Sequence, residues 1–420
     1  ATVKSPPSIS FAILTSCAAL HRMIDRRRAL RINRIMIVRI SGAILLFLLV
    51  GAAAVVAAGL FDDRTKVQLT RPFIETPAPT IAIAPLDEAL TFGRTADGVT
   101  IAVLSYEAGQ IVGVPLFASE DAIAFFNRLG YEGARTIIEG SDRRIVADAR
   151  TLAIPVALSD RHIAAGTNYS DHAEEADVGG GPFLFPKYVA PTPSRAPIPA
   201  GDALLDYEVE LCLVGLKDIA PSEIVSGGLI LCNDVTDRAT LLREINPQEP
   251  QSGEGFTSGK SAEGYLPVGD LFVVPRDLDA FVETLTLQLS VDGAERQRVK
   301  ASQWIWDFEN IFSEAQKKKD IEWRYRSGVA ALPLDKTGAL PARTMIMGGT
   351  PGGTIFKGLN PSAYLRGAFS WAASGFKGGV AKHVVEAHIR AARKSGDYLQ
   401  PGALVTIEVD RMGALANRVE

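Results

Sequence analysis

LLDYEVELCLVG, residues 204–215, is the most informative segment of the chain, together with the run LILCNDVTDR, residues 229–238, that follows it. Side chains alternate between the two faces of a strand, so the first stretch predicts a strand with Glu208 and Glu210 side by side on one face. A lone buried carboxylate is costly, and we therefore expect a positive group between the two glutamates. The alternative is an edge strand whose polar face lies in water.

The second run predicts a neighbouring strand that ends at Asn233 and Asp234. Three carboxylates that converge from two adjacent strands suit a hard divalent cation, either Mg²⁺, Mn²⁺ or Ca²⁺. Glu208, Glu210 and Asp234 are therefore the candidate metal ligands.

Composition narrows the classes of protein. The 420 residues predict about two domains, and 44 basic against 48 acidic residues give a net charge of −4 without a basic patch, so we expect no nucleic-acid partner. The sequence has no HExxH motif, and zinc-protease chemistry is not indicated. Cys212 and Cys232 lie in apolar runs and are interpreted as small buried hydrophobes; a disulfide framework is not expected.

An apolar segment follows an arginine-rich N-terminal part. Residues 40–61 are uncharged and long enough to span a bilayer at about 1.5 Å per residue, with arginines before them and acidic residues after them. The positive-inside rule predicts an inner-membrane anchor or an export signal, with the rest of the chain on the non-cytoplasmic side. A cleaved signal peptide starting at Met36 and a buried core helix are the alternatives, and a true start beyond the segment would make the protein cytoplasmic.

The next part of the chain, residues 62–154, predicts a linker followed by a small accessory α/β domain. Residues 99–117 indicate a strand pair, and residues 119–130 a helix with Ser119 as N-cap and Gly130 just past its end. No cluster of reactive side chains occurs here, and we expect this domain to support the main one.

Two further stretches carry candidate catalytic groups. In residues 166–178, His172 and Glu175 stand one helical turn apart, where a carboxylate can orient a histidine as a general base. In the polar, glycine-rich residues 246–264, Lys260 could stabilise an enolate or oxyanion if it faces the metal. An exposed acidic helix start and an ordinary surface lysine are the alternatives.

The remaining segments predict supporting structure. They are a proline-rich loop over the site at 182–199, a hairpin at 285–297, an amphipathic helix at 304–319, a strand and glycine-rich turn at 344–353, and a closing hairpin at 401–419. The glycine-rich turn can bring backbone N–H groups to an anionic ligand, but it does not match a nucleotide P-loop.

Several of these motifs occur together in one order. They are Asn168-Tyr169-x-x-His172-x-x-Glu175, Asp206-Tyr207-Glu208-Val209-Glu210, Asn233-Asp234-Val235-Thr236-Asp237-Arg238, Gly259-Lys260-Ser261, and Gly349-Thr350-Pro351-Gly352-Gly353. In this order the chain resembles the fumarylacetoacetate hydrolase family. The likeness is to its bacterial branch of acylpyruvate hydrolases, decarboxylases and 2-hydroxyhepta-2,4-diene-1,7-dioate isomerases, which act on products of aromatic ring cleavage.

The resemblance implies an α+β, mainly β, roll-like catalytic domain over residues 155–420, usually a homodimer, with an insertion at about 356–400 that is longer than expected. It also implies a role for each matched residue: Glu208, Glu210 and Asp234 as ligands of Mg²⁺ or Mn²⁺, His172 and Glu175 as the base, Lys260 to polarise a carbonyl or enolate, and Arg238, Thr350 and Tyr169 to bind the substrate.

The implied activity is hydrolysis of a C–C bond in a β-diketo or 2-oxo acid of the acylpyruvate type. Isomerisation, decarboxylation or hydration of 2-oxo acids on the same site is an alternative, as is a membrane-tethered binding protein without turnover. Ala165 stands where true fumarylacetoacetases have a further aspartate ligand, so that particular substrate is not expected.

The insertion predicts a helix from about residue 380 to 394, with Val380, Val384, Ala387 and Ala391 on one stripe. We expect it to pack over the mouth of the pocket or across a dimer interface. Packing on the accessory domain and contact with a membrane are the alternatives.

Overall fold

The computed structural model describes residues 78–116, 120–176 and 179–420. The predicted membrane or signal segment and the predicted N-cap Ser119 lie outside these residues. No helix in the described ranges is long and apolar enough to cross a membrane.

Strands dominate the described chain. In chain order they are β1 (Ala89–Arg94), β2 (Thr100–Glu107), β3 (Gln110–Pro115), β4 (Ile145–Asp148), β5 (Arg161–Gly166), β6 (Phe183–Tyr188), β7 (Leu205–Asp206), β8 (Val209–Gly215), β9 (Gly227–Asn233), β10 (Thr236–Asp237), β11 (Phe272–Pro275), β12 (Thr286–Val291), β13 (Ala294–Lys300), β14 (Glu322–Tyr325), β15 (Gly328–Ala331), β16 (Met345–Met347), β17 (Leu404–Val409) and β18 (Gly413–Arg418).

The α-helices lie between and beside the strands. They are α1 (Ala122–Glu139), α2 (Ser170–Glu175), α3 (Arg238–Glu244), α4 (Phe256–Lys260), α5 (Leu278–Thr284), α6 (Phe308–Lys317), α7 (Pro361–Ala373) and α8 (Val380–Ser395). Because sheet outweighs helix, the prediction of a mixed, mainly β fold is confirmed.

One large mixed sheet organises the molecule. Its ten strands run in the order β4-β3-β2-β1-β11-β9-β8-β16-β5-β6, and only β16 and β5 pair in parallel. A second sheet has the order β13-β12-β17-β18. Strand β1 of the predicted accessory domain pairs with β11, so the large sheet continues past residue 154. The division into two domains at that residue stays a prediction.

The predicted hairpins form where the turn residues require them. Strands β12 and β13 are joined by Asp292 and Gly293, with φ of 52° and 77°, as expected for a two-residue turn with both φ angles positive. Strands β17 and β18 form the closing hairpin, and β2 pairs with β3. All three predictions are confirmed.

Other predicted elements differ from the structure. Residues 183–188, predicted as part of a loop, form β6, the edge strand of the large sheet, where Pro186 is tolerated because an edge strand leaves some N–H positions unpaired. Gly130 has φ 66°, but the helical backbone resumes after it and α1 runs to Glu139. The N-cap of α1 is Asp121, whose carboxylate accepts from the N–H of Ala124 at 3.0 Å.

The prediction that Cys212 and Cys232 form no disulfide is wrong. Both are buried as predicted, but Cys212 of β8 and Cys232 of β9 are joined by a disulfide, with their Cα atoms 6.7 Å apart. Cys212 lies opposite Ile230, so Cys232 is its diagonal neighbour on the same face. That register is a tertiary property, and a spacing of 20 residues does not reveal it.

Candidate active site

The central carboxylates are held where the β7–β8 stretch is interrupted. The sequence predicted one continuous strand, but Tyr207 and Glu208 leave the sheet between β7 and β8. Side-chain hydrogen bonds replace the ladder here, because the N–H of Glu208 donates to Asn233 Oδ1 at 3.0 Å. The carbonyl of Glu208 accepts from the N–H of Asp234 at 2.9 Å. This exchange fixes Glu208 beside the end of β9.

The three predicted metal ligands come together. Glu208, Glu210 and Asp234 are all buried, and a carboxylate oxygen from each lies within 4.8 Å of the other two. Glu210 lies in β8 opposite Cys232, and Asp234 follows β9 directly. Adjacent antiparallel strands therefore deliver the cluster, and the edge-strand alternative is excluded by burial.

Two predicted cations contact this cluster. Lys260 Nζ donates to Glu208 Oε2 at 2.7 Å and to Asp234 Oδ2 at 2.8 Å. Arg238 Nη2 donates to Glu208 Oε1 at 2.6 Å, and its Nε donates to Asp206 at 2.9 Å. Lys260 ends the short helix α4, although the sequence predicted it on a loop.

A third cationic side chain in the cluster, that of Lys187, was not predicted from the sequence. Lys187 is fully buried in β6, forms an ion pair with Asp234, and donates to the carbonyls of Lys260 at 2.6 Å and Tyr265 at 2.9 Å. A lysine inside the apolar run FLFPKY was the available signal, because lysine is almost never buried unless it is paired.

Glu210 differs from the other buried acids. No Lys, Arg or His within the described ranges forms an ion pair with it, and its carboxylate accepts the N–H of Gly349 at 3.0 Å. Burial, and then repulsion from Asp234, raises the pKa of Glu210 well above its ordinary value. With Asp206 the cluster has four carboxyl groups and three cationic side chains, so its charges balance while Glu210 is protonated. A cation bound beside Glu210 would favour the ionised carboxylate, and the oxygen donors of the trio fit such an ion.

The other members respond differently to burial. Burial acts to raise the pKa of Glu208, but attraction to Lys260 and Arg238 outweighs it and lowers this pKa. Burial acts to lower the pKa of Lys260, but attraction to Asp234 and Glu208 raises it. The pairing therefore keeps Glu208 and Lys260 charged.

The predicted dyad, His172 and Glu175, lies in α2, but the two side chains are not hydrogen-bonded to each other. His172 is buried, and its Nδ1 has no hydrogen-bond partner in the part of the chain that the structure describes. Glu175 instead accepts the N–H of Gly353 at 2.8 Å and pairs with Lys357 at 2.5 Å. Burial lowers the pKa of His172, so its imidazole is neutral near pH 7. The roles of both residues stay predictions.

Of the predicted substrate-binding residues, Arg238 and Thr350 line the cavity, and Tyr169 does not. Thr350 faces the cavity and accepts from Gln297 Nε2 at 2.9 Å. Gln297 also accepts the N–H of Val209 at 2.9 Å, so it ties the glycine-rich turn to β8, a role that the sequence did not reveal. Tyr169 is buried, and its hydroxyl donates to the carbonyl of Ala301 at 3.0 Å, which gives it a structural contact.

A cavity of about 240 Å³ opens beside these groups. Its lining includes the side chains of His172, Glu208, Arg238, Lys260 and Thr350. Four residues of the insertion region also line it: Phe356, Gly358, Leu359 and Tyr364. The packing of the insertion over the mouth of the pocket or across a dimer interface stays a prediction.

Known proteins share parts of this sequence. The chain is 26% identical over 172 residues to a 2,4-didehydro-3-deoxy-L-rhamnonate hydrolase of Sphingomonas sp. strain SKA58, covering 38% of this chain and 56% of that protein. It is 26% identical over 174 residues to a mitochondrial oxaloacetate tautomerase of Rattus norvegicus, covering 39% of this chain and 52% of that protein. The chain thus spans little more than half the length of either relative.

The chain was also compared with solved structures. A 2-hydroxyhepta-2,4-diene-1,7-dioate isomerase from Mycobacterium marinum is 18% identical, with a TM-score of 0.47 over 79% of this chain and 98% of that one. A fumarylpyruvate hydrolase from Pseudomonas aeruginosa, solved with Mn²⁺ and pyruvate, is 20% identical, with a TM-score of 0.41 over 67% of this chain and 92% of that one.

The match to a whole family is broader. The sequence model of the fumarylacetoacetate hydrolase C-terminal domain matches residues 161–420, which is more than half of the chain and includes every carboxylate of the cluster. The chain therefore belongs to the fumarylacetoacetate hydrolase family.

Proposed function

We propose that this protein is a divalent-cation-dependent enzyme that hydrolyses a C–C bond in a β-diketo or 2-oxo acid of the acylpyruvate type. The observation that carries the proposal is the buried trio Glu208, Glu210 and Asp234, in which Glu210 forms no ion pair with a described cationic side chain. These residues would hold the cation. Mg²⁺ is the first choice, with Mn²⁺ or Ca²⁺ as alternatives, because all three prefer carboxylate oxygens.

When bound, the cation supplies positive charge that stabilises an enolate developing on the substrate oxygens. Lys260 reinforces that effect, because its ammonium group is buried between two carboxylates and remains charged. Arg238 and Thr350 line the same cavity and are proposed to bind the substrate carboxylate.

His172 is proposed as the general base. Its imidazole is neutral, it lines the cavity, and its Nδ1 is without a partner among the described residues, so it can accept a proton from water. The hydroxide equivalent adds to the distal carbonyl, and the bond between that carbon and the methylene group breaks, with its electron pair passing into the enolate. The proton that His172 accepted from water then returns to the methylene carbon. The products are a carboxylate and, from an acylpyruvate, pyruvate.

Tautomerisation, isomerisation or decarboxylation of a 2-oxo acid is the second candidate. One observation favours it: Glu175 contacts Gly353 and Lys357 instead of orienting His172. These reactions need charge stabilisation on the substrate but no water activated by a histidine–glutamate pair.

The test is an activity screen with the full chain. Chelator-treated protein is assayed with and without Mg²⁺ or Mn²⁺ on acylpyruvates, oxaloacetate and 2-oxo-alkenoates, and pyruvate release is compared with tautomer and carbon dioxide formation. Cation-dependent pyruvate release supports hydrolysis. Turnover that is equal without a cation would contradict the proposal.

A matched pair of variants locates the cation. Glu210→Gln keeps the side-chain shape but removes an anionic ligand, so Mg²⁺ affinity measured by calorimetry should fall strongly, together with activity. Glu132→Gln, at an exposed glutamate of α1, is the control and should leave both unchanged. Equal Mg²⁺ affinity in Glu210→Gln and wild type would remove the assignment.

A further inference from the structure

The cavity has an apolar wall that the proposed chemistry does not use. Its side chains come from α3, from the residue after that helix, from α4 and from the insertion region: Leu241, Leu242, Ile245, Phe256, Leu359 and Tyr364. We use the term apolar wall for these six residues. Ile245, Phe256 and Leu359 are only partly buried, so apolar surface remains open to a ligand.

Few side chains in the cavity lining can be positively charged. Within the described lining, only Arg238, Lys260 and His172 can carry positive charge. Arg238 and Lys260 are both hydrogen-bonded to carboxylates of the buried cluster. A second carboxylate on a substrate would therefore find no further cationic side chain in the lining to pair with, and burying an unpaired charge is costly.

An uncharged tail on the substrate would instead be stabilised by contact with the apolar wall. Each methylene group removed from water favours binding by up to about fourfold. The cavity volume of about 240 Å³ far exceeds the roughly 15 Å³ that one water needs, so there is room beyond a short polar head. Phe256 also contacts Phe185 with ring centroids 5.2 Å apart, which gives the wall an aromatic surface.

We infer that the substrate is a monocarboxylate: a 2-oxo or β-diketo acid with an uncharged alkyl or aryl group at its distal end, selected over dicarboxylates by the apolar wall. The inference rests on the proposed function for the identity of the head group. It adds that the apolar wall selects an uncharged group at the distal end of the substrate.

Binding separates the two substrate classes. The probes are 2-oxooctanoate and 2-oxoglutarate, which share the 2-oxo acid head and differ in the distal end. Calorimetry with the Mg²⁺-loaded full chain should give at least about tenfold tighter binding of 2-oxooctanoate. Equal or tighter binding of 2-oxoglutarate, or failure of both to bind, would overturn the inference.

A lysine placed in the wall should reverse the preference. Ile245→Lys puts an ammonium group against the tail, so we expect weaker binding of 2-oxooctanoate by about tenfold and tighter binding of 2-oxoglutarate. The control is Ile224→Lys, the same change at an isoleucine that is 84% exposed and outside the cavity lining. Should Ile245→Lys fail to fold, Tyr364→Lys tests the same wall from a residue that is 55% exposed. An unchanged preference in the folded wall variant contradicts the inference.

Turnover distinguishes this inference from the proposed function. Hexanoylpyruvate and fumarylpyruvate share the pyruvate head and differ in the charge of the tail. Cleavage of both with fumarylpyruvate preferred would keep the hydrolase proposal and overturn the apolar tail. Selective binding of 2-oxooctanoate without cleavage of either compound would keep the apolar tail and overturn the hydrolase.

Discussion

At the residue scale, the site is a set of buried charges that stabilise one another. Lys187 is enclosed in β6 with three acceptors, one of them the carboxylate of Asp234. Removing Lys187 takes from Asp234 one of its two cationic partners, with Lys260 as the other, and leaves two buried carbonyls without this donor. Lys187→Met should therefore lower the free energy of unfolding by about 3–5 kcal/mol, measured by chemical denaturation.

The control for that change is Lys317→Met at the end of α6, where the lysine side chain is 65% exposed. Exposed ion pairs contribute about 0–1 kcal/mol, so this variant should be nearly as stable as wild type. A similar small loss in both variants would show that the pairing of Lys187 and Asp234 contributes little.

The second prediction at this scale concerns the role of His172 in turnover. His172→Gln removes the proposed base without adding charge, and turnover on the best substrate should fall by about 10²–10⁴-fold. Mg²⁺ affinity, measured by calorimetry, should stay within a small factor, since the three proposed ligands are intact. Turnover within about threefold of wild type would favour the tautomerase or decarboxylase candidate.

At the element scale, the glycine-rich turn after β16 connects the backbone to the carboxylate cluster. Gly349 has φ 81°, and a Cβ there would lie 2.9 Å from Asn168 Cβ and 3.0 Å from the carbonyl oxygen of Ala165. Gly349→Ala should therefore destabilise the protein by about 1–3 kcal/mol. It should also weaken Mg²⁺ binding, because the N–H that Glu210 accepts would move.

Gly293 provides a control that separates the two causes. Its φ is 77°, but nothing lies within 4 Å of an added Cβ. Gly293→Ala should show the conformational cost alone, in thermal or chemical unfolding, and normal Mg²⁺ affinity. If Gly349→Ala also bound Mg²⁺ normally, the turn would not position the cluster.

At the scale of the whole molecule, Asp270 links the ten-stranded sheet to the four-stranded sheet. Its carboxylate accepts from the Tyr106 hydroxyl of β2 at 2.6 Å and from the N–H of Ala414 in β18 at 2.8 Å. Burial raises the pKa of Asp270 to about 6, while an unfolded aspartate titrates near 3.9. Between these values the folded state binds more protons, so stability falls as pH rises through this window.

Asp270→Asn tests that linkage. The raised pKa of Asp270 should lower the free energy of unfolding by about 3 kcal/mol at pH 7 relative to pH 3, and this pH dependence should be absent from the variant. The difference in unfolding free energy between wild type and variant, measured by denaturation from pH 3.5 to 7.5, should therefore change between pH 4 and 6 and level off above. A constant difference would show that Asp270 does not titrate in this way.

The assembly is also a property of the whole molecule. The family resemblance implies a homodimer, and this stays a prediction that light scattering of the full chain can check. Tyr364, Phe369 and Phe376 on or just after α7 are more than half exposed. The expected mass is therefore that of two chains, and a monomer at micromolar concentration would contradict it.

The sequence by itself determined the alternation of the central strands, the turn residues of the hairpins and the order of the motifs. These are local properties, because strand periodicity and turn conformation depend on residues a few positions apart. The candidate carboxylates Glu208, Glu210 and Asp234 followed from them, and so did the family.

Only the tertiary structure decided which charges meet. Lys187 lies 47 residues from Asp234, and Gln297 lies 88 residues from Val209, yet tertiary packing brings each pair into contact from strands that are not neighbours in a sheet. The register of β8 and β9 brings Cys212 beside Cys232, and Glu175 contacts Gly353 and Lys357 instead of His172. Long-range pairing depends on how strands from distant parts of the chain align, and local sequence patterns do not encode that alignment.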